Sequence, residues 1–357
     1  MEFHESLNDP PRLFAVDRSG GNQYLALDPN PHLLADFQLG HVRALDGQLS
    51  TGERWSALLY LPVHYDSGKR YPVVFQFGGI GLTAGGDPES GRFSLYGPNG
   101  PAFAGLGPSE FATYAAQELA GRGIAVVDFV ANAKTGTPSE GETYRACFEY
   151  LLRRLNSEGL VDQSRVGVIG FSRNGYFVGY TITHSTAPIA AVSIADSFDG
   201  SYLQAVASGN YVEFAAVNGA LPIGEGLRNW LKSAPGFNVE HVQAPVRFVA
   251  QSGSTIQSAL EFWEMYSQLQ YLNRPAEIYI MPEIDRYGSH SPQNPTQVLA
   301  LQESTTDWFD FWLNGHESKD ADKKKQYERW RKLRQINSSN RGSSELLEPK
   351  RPYAATR

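Results

Sequence analysis

Between about residues 50 and 315 the chain alternates short apolar runs with amphipathic segments, and this alternation constrains the fold more than any other feature. The apolar runs are WSALLYLP, YPVVFQFG, GIAVVDFV, RVGVIGF, IAAVSIAD, VRFVAQSG and AEIYIMPE. Most are continuous and rich in Val and Ile, the pattern of strands buried on both faces of a parallel sheet. Between them lie SEFATYAAQELAGRG, GETYRACFEYLLRRLNSEG, NGYFVGYTITHS, SALEFWEMYSQLQYLN and TQVLALQESTTDWFDFWLNG, which read as helices, several closing on glycine. Alternation of this kind predicts one α/β domain over 46–315, with a mostly parallel sheet and helices on both faces.

The flanks read differently. Residues 1–45 form an arm in which LFAVD and QYLAL, joined by RSGGN, give a hairpin signal, followed by the proline-broken linker LDPNPHLL. Such a hairpin has no sheet of its own to join. Residues 316–357 carry 12 Lys/Arg against 6 Asp/Glu, while the preceding 315 carry 19 against 32. KDADKKKQYERWRKLRQ reads as an exposed helix of mixed charge and the remainder as a disordered tail. A net charge of −7 argues against nucleic acid as a partner. No run approaches the roughly 20 apolar residues of a membrane span. MEFHESLNDPPRLF lacks the marks of a secretory signal, which makes the cytoplasm the default location. The single cysteine, Cys147, excludes a disulfide framework and a Cys-based zinc site, and reads as a buried inert thiol.

VGVIGFSRNGYFVGY holds the chemistry. Ser172 directly follows an apolar run, opens a helix and sits between Gly170 and Gly175, the strand–turn–helix setting of a nucleophile elbow. A tight turn there needs small neighbours, and the helix N-terminus offers N–H groups to a developing oxyanion. Asn174 stands where G-x-S-x-G has glycine, and glycine comes one residue late.

A serine hydroxyl needs a base, and the order Ser, acid, His of α/β-hydrolases asks for a late histidine after the last strand. Of the eight histidines, His290 in DRYGSHSPQ satisfies this. The acid that orients the imidazole should follow VRFVAQSG, but SGSTIQS contains no carboxylate. Glu261 is the preferred acid, with Glu264, Asp285 and Asp196 as alternatives. The Arg173 N–H is the first oxyanion donor, and Gly78, Gly79 or Ile80 in QFGGIGLTAGGDP supplies the second. The insertion 197–245 reads as a lid or pocket wall bearing Phe198, Tyr202 and Tyr211, with Phe77 and Trp263 also assigned to substrate contact.

Together these segments resemble the catalytic domain of the prolyl oligopeptidase family of serine peptidases over nearly all of residues 5–335. GFSRNG matches its nucleophile position, GSHSP its histidine position, and ALLYLPVHYDSGKRYPVVFQFGG the entry to its hydrolase domain. The resemblance implies an α/β-hydrolase fold and cleavage of peptide or related amide bonds through an acyl-enzyme, without cofactor or metal. Three departures stand out. The family's oxyanion tyrosine is Phe77, its usual aspartate is missing, and no propeller precedes the hydrolase domain, so the hairpin at 12–28 looks like the end of a last blade. A glutamate acid and this style of C-terminus are similar to a bacterial subgroup that includes lasso-peptide isopeptidases. The competing expectations are a small-molecule carboxylesterase and a non-catalytic hydrolase-like binding protein.

Overall fold

All seven apolar runs become strands of one sheet in the computed structural model, which describes residues 1–17, 20–78, 113–197, 202–207, 211–251, 256–281 and 294–341. The strands are β1 (Glu2–His4), β2 (Arg12–Val16), β3 (Gln23–Leu27), β4 (Val42–Gln48), β5 (Arg54–Tyr60), β6 (Tyr71–Phe77), β7 (Ala125–Ala131), β8 (Val161–Phe171), β9 (Ile189–Ala195), β10 (Val246–Gln251) and β11 (Ala276–Met281). The helices are α1 (Leu33–Asp36), α2 (Ala116–Gly121), α3 (Glu140–Ser157), α4 (Arg173–His184), α5 (Tyr202–Ala207), α6 (Tyr211–Asn218), α7 (Leu227–Ser233), α8 (Ile256–Glu261), α9 (Trp263–Tyr271), α10 (Pro295–Phe309) and α11 (Lys324–Arg341).

The main sheet runs in the order β11-β10-β9-β8-β6-β7-β5-β4. From β11 to β7 every pairing is parallel, and β5 and β4 add an antiparallel hairpin at one edge. Alternate residues of each strand point to opposite faces, so two cores form. Phe75, Phe77, Val127 and Phe129 meet the apolar sides of α3, α4 and α9. Val74, Val126 and Ile169 meet α2, α10 and α11 on the other face. Both faces are covered, as parallel strands require.

Three expectations change. Strand β4 extends from Val42 to Gln48, so the boundary at 45/46 falls within a strand; its residues alternate in exposure because it lies at the sheet edge. The N-terminal hairpin is not alone, since β1 pairs antiparallel with β2 to make a separate three-stranded sheet. The basic helix α11 is not simply solvated, because Tyr327 and Trp330 are buried against Trp308 and Phe311. The tail 342–357 lies outside the described residues. Cys147 is buried in α3 and its burial pushes the thiol up, which suits an inert core residue. No helix among the described residues is long and apolar enough to cross a membrane.

Gln76 and Asp128 face each other across β6 and β7, both fully buried, and the Gln76 amide donates to Asp128 Oδ2 at 3.0 Å. Burial pushes the Asp128 carboxyl up to about 8, against the opposing pull of the Gln76 hydrogen bond. The folded chain therefore keeps this proton at neutral pH, whereas an unfolded aspartate releases it near pH ~4. The stability contributed is complete below about pH 4 and is lost as pH rises through about 8. Asp128→Asn keeps the shape and removes the titration. Its Tm should match wild type near pH ~4 and exceed it by a widening margin toward pH ~8. Calorimetry that gives parallel curves across this range would mean that Asp128 is ionised in the fold.

Candidate active site

The parallel strands β8, β9, β10 and β11 all end on one edge of the sheet, and the segments that carry the site residues leave from there. Ser172 follows β8 directly, with φ 55° and ψ −134°, and precedes the first helical residue of α4, Arg173. A non-glycine residue in this region is strained and persists only where its surroundings over-determine it. Here the Ser172 N–H donates to Ala195 O at 3.1 Å, and its carbonyl accepts the Gly175 N–H at 3.0 Å and the Ser197 hydroxyl. The two glycines have different steric reasons. A Cβ on Gly170 would meet the Asn174 carbonyl oxygen at 2.5 Å, and one on Gly175 would meet Ser197 Cβ at 2.4 Å and Ile194 Cγ2 at 2.9 Å. The late glycine is thus the one required by the close approach of α4 to the end of β9.

Arg173 places its backbone N–H in the first turn of α4, where helix geometry supplies no intrahelical acceptor. Its guanidinium donates from Nε and Nη2 to Glu140 at 3.2 and 2.6 Å, and Nη1 pairs with Glu213 on α6. Glu140 is buried and also accepts the Gly136 N–H at 2.8 Å. The residue beside the serine therefore joins the start of α3 to the insertion. Neither glutamate was singled out in the sequence; the signal available was an arginine directly after the nucleophile position.

Two expectations need correction. The Gly78 N–H donates to Phe129 O at 2.9 Å and prolongs the β6–β7 ladder by one residue, so it is not available to an oxyanion. The Phe77 ring is fully buried, 4.7 Å from Phe129 and 6.0 Å from Phe148 between centroids. It faces the core and not a substrate, because the strand alternation that buries Phe75 buries Phe77 on the same side.

Glu261 ends α8, in the segment that follows β10, and is half-buried. Glu264, an alternative acid, is engaged elsewhere: its two oxygens accept the Tyr202 and Leu203 N–H groups at 3.2 and 2.5 Å, capping α5. Burial raises its carboxyl, and those two hydrogen bonds oppose the rise. Asp196 follows β9 beside the elbow, buried and with φ 36°, and its N–H donates to Val249 O at 2.7 Å. Tyr202, Tyr211 and Trp263 are partly or largely exposed on α5, α6 and α9. His290, Asp285, Gly79, Ile80 and Phe198 lie outside the described residues.

A serine strained into the turn between a central parallel strand and a helix is the arrangement of hydrolases that use a serine nucleophile. The comparisons agree with that class. No family model matches the chain. The lasso peptide isopeptidase AtxE2 of Asticcacaulis excentricus is 26% identical over 340 residues, which make up 94% of this chain and 46% of the relative. The structure of AtxE2 without ligand superposes with a TM-score of 0.69 at 24% identity, over 92% of this chain and 48% of that one. The acylaminoacyl peptidase of Pyrococcus horikoshii gives 0.60 at 16% identity, over 90% and 49%. The resemblance to a lasso-peptide isopeptidase thus holds in sequence and in fold, that to the wider prolyl oligopeptidase family in fold, and the chain spans about half the length of these relatives.

The elbow's tightness can be measured. Gly175→Ala should destabilise the protein by about 1–3 kcal/mol, the usual cost of overpacking. Adding Ser197→Gly removes the atoms in the way and should restore part of that loss in denaturant melts. A double variant no more stable than Gly175→Ala would mean that Ser197 is not the obstacle.

Proposed function

We propose that the chain is the α/β-hydrolase portion of a serine peptidase that cleaves peptide or isopeptide amide bonds through an acyl-enzyme on Ser172. The observation that carries this reading is the strained Ser172 backbone at the carboxyl end of β8, at the mouth of helix α4. The catalytic unit runs from β4 to the end of α10, with the arm and α11 packed outside it. In this reading His290 takes the Ser172 proton as the hydroxyl attacks the carbonyl, and Glu261 holds the imidazole in the required tautomer. The Arg173 N–H stabilises the oxyanion, together with an amide from the segment after Gly78. His290 then protonates the leaving amine, and water attacks the acyl-enzyme to release the acid. Likeness to an isopeptidase over 94% of the chain supports an amide as the natural bond. The exposed rings of Tyr202, Tyr211 and Trp263 supply apolar surface for a peptide near the insertion.

A fluorophosphonate probe tests the nucleophile. Wild type should be labelled and Ser172→Ala should not; equal labelling of both, or of neither, overturns the proposal. The kcat/KM for peptide anilides should exceed the value expected from an esterase that accepts only activated esters. Glu261→Gln should lower kcat by about 10⁴-fold, the loss seen when a triad acid becomes an amide. Near-normal turnover would instead move that role to Asp196 or Asp285.

A further inference from the structure

Helix α6 is held at its two ends by different kinds of contact. Near its C-terminal end Val217 is buried in the same core as the apolar sides of α3 and α4. The buried Asn218 beside it accepts the Ser233 hydroxyl, from the end of α7, at 2.7 Å. In the middle Phe214 packs with Trp230, Ala205 and Ala234 in a small satellite cluster. At the N-terminal end Tyr211 and Val212 are exposed, and Glu213 pairs with Arg173. Glu213 is the one charged residue in the α6 sequence YVEFAAVN.

Arg173 gives that pair a fixed bracket beside the nucleophile. It follows Ser172 directly, and consecutive Cα atoms stand about 3.8 Å apart. Its Nε and Nη2 are spent on the buried Glu140, which also accepts the Gly136 N–H and opens α3, a helix packed against α4. The guanidinium is planar with its donors in a rigid fork, so Nη1 is left aimed in a set direction, where it meets Glu213. Along α6 the rise is about 1.5 Å per residue, which puts Tyr211 about 9 Å from the Val217 anchor. The end farthest from an anchor swings most. The Glu213–Arg173 pair therefore governs where Tyr211 and Val212 stand relative to Ser172.

We infer that Glu213 is a specificity-determining residue that acts through Arg173, holding the N-terminal end of α6 as a wall for extended peptide substrates. The inference rests on the serine peptidase reading of Ser172 and deepens it. Glu213 is a positioning residue and need not touch the reacting atoms. A peptide long enough to span the elbow and α6 meets the wall in its ground state and in its transition state alike. Losing the pair then raises KM and leaves kcat nearly unchanged. A small acyl ester reaches the elbow alone and does not sense the wall. The Arg173 N–H keeps its place without Glu213, because Glu140 still grips the guanidinium.

The test uses the full chain with two kinds of substrate: p-nitrophenyl acetate, and uncharged acetylated tetrapeptide p-nitroanilides ending in Ala, Leu or Phe. For the best anilide, Glu213→Gln should raise KM by about three- to tenfold with kcat within about twofold, while kcat/KM for the ester stays within about twofold of wild type. Glu213→Asp, which keeps the charge on a shorter arm, should fall between the two. Because the pair is part-exposed, raising NaCl from about 50 mM to about 500 mM should raise the wild-type anilide KM and leave that of Glu213→Gln nearly flat. Wild-type anilide KM in Glu213→Gln overturns the inference. So does an equal loss on ester and anilide, which would place the effect at the elbow itself. If Glu213→Gln does not fold, the salt series on wild type decides alone: a rising anilide KM supports the pair, and a flat one overturns it. Wild type that turns over the ester but none of the anilides also overturns it, since the wall would have no peptide to hold. Wild type that cleaves neither substrate and does not react with a fluorophosphonate removes the hydrolase reading itself, a result distinct from all of these.

Discussion

The backbone of Ser172 is the constraint on which the rest of the structure depends. At φ 55° and ψ −134° the residue gains nothing locally, so the conformation has to be imposed from outside. Three neighbours impose it. Strand β9 takes the Ser172 N–H through Ala195 O and returns the Ser197 hydroxyl to the Ser172 carbonyl. Helix α4 closes down on β8 across Gly170 and on β9 across Gly175, with no room for a Cβ at either. The parallel register of β6, β8 and β9 brings these contacts to a single edge of the sheet. Helix and strand directions then leave the serine hydroxyl at the rim, where a partial positive charge from α4 already waits.

Electrostatics next to the elbow follow from the same geometry. An arginine at the second position of the turn would face solvent in an open site. Here the buried Glu140 holds it by a two-toothed grip, and Glu213 brings α6 to the same guanidinium. Pairing a buried carboxylate in this way avoids the large desolvation cost of leaving it alone. It also makes α6 of the insertion answerable to the elbow, because α6 reaches the turn through a charged contact.

The strand pattern was legible because burial on both faces writes long Val- and Ile-rich runs into a sequence. All seven such runs are strands, and the hairpin signal at 12–28 is the antiparallel pair β2–β3. Strand β4 was not legible, since an edge strand of VRALDGQ alternates too weakly to stand out from a linker. Helices α5, α6 and α7 were hidden for another reason: SYLQAVASGNYVEF has no regular apolar face, because α5 and α6 pack in a small satellite cluster around Trp230. In the site, Ser172 could be read from its punctuation by glycine. That Gly78 would be absorbed into the ladder and Phe77 into the core could not, because both depend on where β6 stops. The capping role of Glu264 was equally unreadable, as its partners lie 61 and 62 residues away.

The basic C-terminal region shows how a reading from charge alone falls short of the physics. Its exposed face is charged, yet its aromatic stripe closes the sheet at β10 and β11. Trp330 donates its indole N–H to Glu277 at 2.9 Å, and Glu277 lies opposite Arg247 in the parallel register. Arg247 is almost fully buried, and burial lowers its pKa, with Glu277 opposing. Its guanidinium donates to the Ser304 carbonyl and hydroxyl on α10 at 2.8 and 2.6 Å and lies 5.1 Å from the Tyr279 ring. A buried charge held this way adds little net stability, but moving either strand would break several strong contacts at once. Strands β10 and β11 are the two from which the segments bearing Glu261 and His290 depart. In the proposed mechanism, a base and an acid carried on separate segments meet Ser172 only if the strands beneath them keep their spacing. The α10–Arg247–Glu277–Trp330 chain supplies that stiffness at the end of the sheet farthest from the β4–β5 hairpin.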